Sequence, residues 1–255
     1  DEGNYSYRPD MGLATDLAIT NSLQVPLLWP TELTRDTATL NYQLTTNTTL
    51  VNAAIYSSTS KLKRDEMGWA ENPAFARWAG IVTGEASNTG FNVIAETYFD
   101  SNIDQEFTYG IDYVQHDTEY NAEGPAGSDE SAEESTTVSL FVEDRIVLND
   151  YLSVTPGIRY DDYSIDSKVV ENDFSETSLA LAIEYQATND LLFKLSGTEL
   201  FKGPEISEVF TGAGNGEVPN PSIDAETGYN LELSIAYRID VGQGELQTGA
   251  TLFNT

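Results

Sequence analysis

The chain has 255 residues, enough for one large β domain or two small ones, with 12 basic and 42 acidic side chains for a formal charge of −30. That balance excludes nucleic acid, whose phosphates need lysine and arginine. The absence of cysteine excludes disulfides, thiolate metal sites and cysteine nucleophiles.

No apolar run approaches the roughly twenty residues of a membrane-crossing helix. A barrel remains open, because its apolar groups hide at alternate positions. The acidic surplus suits an extracellular surface that binds divalent cations, or simply a solvated exterior. No signal peptide stands at Asp1. The expectation is that it has been removed or that the sequence starts inside a longer chain.

Residues 1–36 show poor alternation and read as an unassigned strand or extracellular loop, with VPLLWP at Val25–Pro30 as loop. From Thr37 the pattern sharpens, with Leu40, Tyr42 and Leu44 on one face of a first strand. A turn at Thr46–Thr48 leads to a second strand ending near Ser60. Residues 61–84 read as a long connector holding Trp69 and Trp78. Ala86–Phe99 forms the next strand, Asp100–Asp104 a turn, and Phe107, Tyr109, Ile111 and Tyr113 mark the strand after it.

The acidic, small-residue stretch Glu119–Glu134 lacks periodicity and reads as a mobile solvent loop without the order of a calcium loop. A hairpin follows: Val138, Leu140, Val142, Ile146 and Leu148, a turn at Asn149-Asp150, then Leu152, Val154, Pro156, Ile158 and Tyr160. Ser153, Thr155, Gly157, Arg159 and Asp161 fill its other face, and Pro156 predicts a bulge. Ser164–Phe174 reads as a loop, Leu179–Tyr185 and Leu191–Leu195 as strands, with a turn at Ala187–Asp190. Tyr229, Leu231, Leu233, Ile235, Tyr237 and Ile239 then alternate with polar residues, and a turn at Val241–Gly244 precedes a last strand from Leu246. That run suits a tilted transmembrane strand of roughly 9–11 residues.

Connectors alternate short and long from Thr37 onward. Short periplasmic turns and long extracellular loops are the habit of up-and-down membrane barrels; a β-sandwich has no reason to sort its loops so. The predicted fold is all-β, an antiparallel up-and-down transmembrane β-barrel. About ten strands occupy residues 37–255, with the tyrosines toward strand ends as interfacial girdles.

Chemistry is sparse. His116 is the one histidine in the sequence; it sits near the outer end of a strand, within reach of a ligand or as a surface residue. A zinc site needs three or four ligands. No G-x-S-x-G elbow exists, a triad needs a histidine base, and the paired carboxylates read as solvated charge. The expectation is no enzyme, no metal and no built-in cofactor.

Two segments carry a resemblance. FKGPEISEVF at Phe201–Phe210 resembles the "FRAP"-type box of TonB-dependent outer-membrane receptors, and NPSIDAETGYNLEL at Asn220–Leu233 resembles their "NPNL…PE" box. Lys202, Gly203 and Ile223 depart from the usual Arg, Ala and Leu. LFVEDRIVLNDYLSVTPGIRYDDY at Leu140–Tyr163 is similar to a barrel hairpin of the same receptors.

The order of the boxes resembles the haem/haemoglobin receptor branch. The resemblance implies a partial segment of a larger barrel of about twenty-two strands, with plug domain and barrel end outside this sequence. It implies a Gram-negative outer membrane, lipid and lipopolysaccharide around the barrel, and TonB as partner through the plug. The transported ligand would be haem, a haem protein's haem or, alternatively, a ferric siderophore. The axial histidine that the resemblance places between the boxes is absent from Ser207–Pro219. Candidate ligand-binding residues are Phe201, Lys202, Pro204, Glu205, Glu208, Asn215, Asn220 and Pro221 in the boxes and their loop, with Trp69 and His116. Two other classes stand beside this one, a secreted acidic β-sandwich binding module and an outer-membrane hydrolase built on His116.

Overall fold

A computed structural model describes residues 2–5, 30–71, 73, 76–101, 103–211 and 220–255. The strands are β1 (Glu2–Tyr5), β2 (Thr31–Thr45), β3 (Thr49–Asp65), β4 (Ile81–Phe99), β5 (Asp104–Gly124) and β6 (Gly127–Asn149). They continue as β7 (Leu152–Ser167), β8 (Glu171–Thr188), β9 (Leu191–Lys202), β10 (Glu226–Val241) and β11 (Gly244–Asn254). Two 3-10 turns, Met67–Glu71 and Ala76–Trp78, lie between β3 and β4, and one helical turn, α1 (Ile206–Val209), follows β9. No described helix is long and apolar enough to cross a membrane.

The strands form one 11-stranded sheet in chain order, and every neighbouring pair is antiparallel. Among the described residues no second sheet covers it, which overturns the sandwich alternative.

The two faces differ in chemistry, as period-two alternation requires. On one, large apolar groups stand open: Leu40 is 69% exposed, Ile55 55%, Leu140 51%, Leu179 54% and Leu231 50%. On the other, small polar groups are buried, among them Ser139, Ser153, Asp161 and Ser178. A soluble protein would do the reverse; an apolar band on the outside of a curved wall faces lipid.

The upper edge of the band is sharp. Tyr113 donates its hydroxyl to Gln115 Oε1 at 2.9 Å, and Gln115 binds Asp117 and Glu134, each at 3.1 Å. Tyr160 likewise reaches Asp162 at 3.4 Å.

Turns at one end are short, as expected. At the other end the strands outrun the expectation. The residues expected as a mobile loop, Glu119–Glu134, are the paired tips of β5 and β6, closed by a tight turn at Gly127 with φ +128°. The connector expected over 61–84 shrinks to 66–80, and the one over 164–174 to residues 168–170, because β3, β4, β7 and β8 continue past the band. Above it both faces are wet, so pairing rests on backbone hydrogen bonds and leaves no apolar periodicity to read. β2 likewise begins at Thr31, earlier than the expected Thr37. VPLLWP lies outside the described residues except Pro30.

The hairpin turn falls at Asp150–Tyr151, one residue later than expected. The bulge expected at Pro156 is instead between Val147 and Asn149. Pro156 keeps its register with Leu181 of β8, and the β6 ladder skips the two rows opposite Thr155 and Pro156. The missing amide is absorbed by a gap in the ladder rather than by an inserted residue.

One break in the wall matters below. β8 and β9 pair only from Ala180↔Thr198 downward. Above that row the Leu179 amide donates to the Glu199 carboxylate at 2.8 Å, a side chain standing in for a ladder partner. The described residues between β9 and β10, 203–211 and 220–225, fold back across this break.

Candidate ligand-binding site

The fold-back is anchored by a small apolar core on the concave face. Tyr163, Ile165, Val170 and Val209 are buried together, with Phe174, Phe201 and Ile223 packed against them. Val209, fully buried at 0% exposure, contributes about 1.5–3 kcal/mol by leaving water. α1 is short, so its ends decide whether it forms. Glu205 and Glu208 make a reciprocal capping box, with the Glu205 amide donating to Glu208 Oε2 at 2.7 Å. Glu208 therefore serves the turn itself.

Tyr163 holds the segment down. Its hydroxyl donates to the Pro204 carbonyl, and its ring lies flat over Gly203, where a Cβ would come within 2.5 Å. That explains glycine at 203, where the resembling box has alanine. Burial pushes the Tyr163 hydroxyl above its ordinary pKa, only partly opposed by a hydrogen bond to Ser135.

Beneath the segment is a cavity of about 720 Å3, within the roughly 300–1,000 Å3 of small-molecule sites. His116, Phe201, Lys202, Pro204 and Glu205, five of the expected residues, line it together. Lys202 and Glu205 form an ion pair at 2.6 Å. That hydrogen bond raises the Lys202 pKa and lowers that of Glu205. Both are exposed, so the pair fixes geometry more than it stabilises.

His116 on β5 takes its place in the register between Asn88 of β4 and Ser135 of β6. Its Nδ1 lies against the Asn88 side-chain oxygen.

Lower in the cavity lie residues that the sequence reading had placed on a polar strand face without assigning them to the site. Arg159 binds both Asp161 oxygens through Nε, at 2.9 and 3.1 Å. It also lies 3.6 Å from Asp112 and 5.7 Å from the centre of the Phe141 ring. Ser139 donates to Asp161 at 2.5 Å. The signal available was their shared alternation phase on β7.

The remaining expected residues lie elsewhere. Asn220 and Pro221 form an exposed turn, where Asn220 Oδ1 accepts from the Ser222 amide at 3.0 Å. Trp69 is buried edge-on against Trp78 in the 66–80 connector. Asn215 lies outside the described residues. Among the described residues no three histidine or carboxylate side chains gather as a metal cluster.

Beside the core, Glu133 is only 3% exposed, and neither carboxylate oxygen has a hydrogen-bond partner of normal geometry. Burial raises its pKa, against weaker opposing pulls from Ser131 and the Thr211 backbone.

A family model described as TonB dependent receptor-like, beta-barrel, matches residues 1–255. Heme/hemopexin utilization protein C of Haemophilus influenzae is 28% identical over 153 residues, which cover 52% of this chain and 21% of that protein. The hemophore receptor HasR of Serratia marcescens, solved with its hemophore HasA and heme, superposes with a TM-score of 0.71 at 15% identity, over 88% of this chain and 40% of that one. The ferric-catecholate import receptor Fiu of E. coli K12 superposes with a TM-score of 0.67 at 12% identity, over 98% of this chain and 44% of that one. The chain thus spans about a fifth of the curated relative's length and under half of these solved chains.

Proposed function

The chain belongs to the TonB-dependent receptor-like β-barrel family, and on that premise we propose that it is a wall segment of an outer-membrane receptor that imports an iron-bearing ligand, haem first. Barrels of this family are transport receptors of the Gram-negative outer membrane, not enzymes, and they take up iron-related ligands such as haem and siderophores. In this reading the apolar band meets lipid, the tips of β3 to β8 stand outside the cell, and further parts of a longer chain supply the plug and the contact with TonB.

The carrying observation is the cavity under the folded-back segment. A polar barrel wall lets solutes pass; a wall with a roofed cleft at its outer mouth selects one. Haem is favoured because a heme utilization protein is among the sequence relatives and because the cavity combines a histidine with apolar groups. A ferric siderophore is the second reading, favoured by the Lys202 and Arg159 cations that a polyanionic chelate would meet.

The test removes residues 205–222 from the full-length receptor. Uptake of the iron source should be lost while the barrel still inserts and shows heat-modifiable mobility. Uptake at the unaltered rate would remove the site from the transport path.

A further inference from the structure

We propose that Arg159, on the cavity floor, recognises a carboxylate of the imported ligand, bound end-on through Nη1 and Nη2. This rests on the import reading above and deepens it, since a haem propionate and a carboxylate arm of a ferric chelate offer the same group.

The guanidinium is fixed before any ligand arrives. Its Nε–H is shared by both Asp161 oxygens, at 2.9 and 3.1 Å. Asp161 is itself 6% exposed and accepts from Ser139 at 2.5 Å. The Phe141 ring flanks the guanidinium, its centre 5.7 Å from Cζ. Gly110 lets that ring lie against the wall, since a Cβ there would stand 2.7 Å from it. Held at one edge and along one face, the planar fork keeps one orientation.

The other edge is free. Asp112 Oδ2 stands 3.6 Å from Nη1, an ion-pair distance beyond a good hydrogen bond. No other acceptor among the described residues reaches Nη1 or Nη2. The side chain stays 42% exposed and lines the cavity. Paired N–H groups on a fixed fork match the two oxygens of a carboxylate. With Asp112 and Asp161 alongside, a dianionic phosphate is repelled more strongly than a singly charged carboxylate. Lys202, the other cation of the lining, is already taken by Glu205 at 2.6 Å.

Depth sets the shape of the ligand. Arg159 lies four residues below Tyr163 along β7, and Tyr163 holds the roof. At about 3.3 Å per residue that is roughly 13 Å. A ligand that meets both roof and floor therefore has an extended body with its carboxylate at the inner end.

The experiment titrates ferric haem, and separately its dimethyl ester, into the detergent-solubilised full-length receptor and follows the absorbance change. Arg159→Gln should weaken binding of the free acid about ten- to hundredfold, the scale of a lost charged hydrogen bond, and leave the ester unaffected. Asp112→Asn should tighten the free acid alone, because it removes a competing negative charge. Heat-modifiable mobility verifies that each variant is folded. A folded Arg159→Gln receptor that weakens acid and ester equally, or neither, overturns the proposal and leaves the import reading standing. A parent that binds no haem but binds ferric citrate through Arg159 removes the haem reading and upholds the carboxylate site. A parent that binds a ferric trihydroxamate, which has no carboxylate, and neither carboxylate probe overturns the site while import stands.

Discussion

Tyr163 and Pro204 lie 41 residues apart in sequence, and the hydroxyl of one donates to the backbone carbonyl of the other in a buried contact. That bond joins the barrel wall to the segment roofing the cavity. Tyr163→Phe removes the donor and keeps the ring. Roof docking should weaken by about 0.5–1.5 kcal/mol, the net worth of a hydrogen bond. Faster proteolytic cleavage within residues 203–225, with barrel stability unchanged, is the expected measurement.

Gly203→Val tests the same contact from the other side. Tyr163 ring atoms 2.5–2.6 Å from the added Cβ must move. The roof should detach more fully than in Tyr163→Phe, and ligand affinity should fall with it. A variant cleaved at the parent rate would show that the ring does not hold the roof.

Glu133 makes docking pH-dependent. Its carboxyl is buried beside the roof and its pKa is raised by that burial, which docking is expected to supply. The docked state therefore holds its proton to higher pH. Docking is strongest below the ordinary carboxylate range and weakens as pH rises through the raised value. Roof proteolysis should accelerate with pH over that window. Glu133→Gln, neutral throughout, should flatten the profile; a slope of opposite sign would contradict the assignment.

Leu140 is 51% exposed in the middle of the outward band. Leu140→Arg should destabilise the inserted barrel by about 2–4 kcal/mol, the cost of a cation at the bilayer midplane. Equilibrium folding of the full-length receptor into lipid vesicles measures it.

Asp161→Ala leaves the Arg159 Nε and the buried Ser139 hydroxyl without their acceptor. An orphaned buried group costs about 1–3 kcal/mol, so thermal unfolding in detergent should shift downward while the outer band is untouched.

What the sequence made legible follows from where solvent differs across the sheet. Along Tyr229–Ile239 one face meets lipid and the other a polar interior, so alternation is written into the residues. At Glu119–Glu134 both faces are largely polar, and nothing in the residues separates a paired ladder from a free loop. The boxes pointed to Phe201, Lys202, Pro204 and Glu205, which do meet in one cavity with His116. Asn88 and Tyr163 were invisible as site residues. Asn88 matters only through its β4–β5 register with His116, and Tyr163 through a fold-back that no local pattern encodes.

The unpaired upper margins of β8 and β9 carry a mechanical consequence. Neighbouring strands elsewhere are stitched by long rows of amide-to-carbonyl bonds, interrupted for two rows between β6 and β7, and parting them would tear many at once. Here the Leu179–Glu199 bond and the grip of Asn172 on the Ile223 carbonyl bridge the slit. The rim can spread at this seam by exchanging a few side-chain bonds for water, leaving the stitched remainder of the sheet intact.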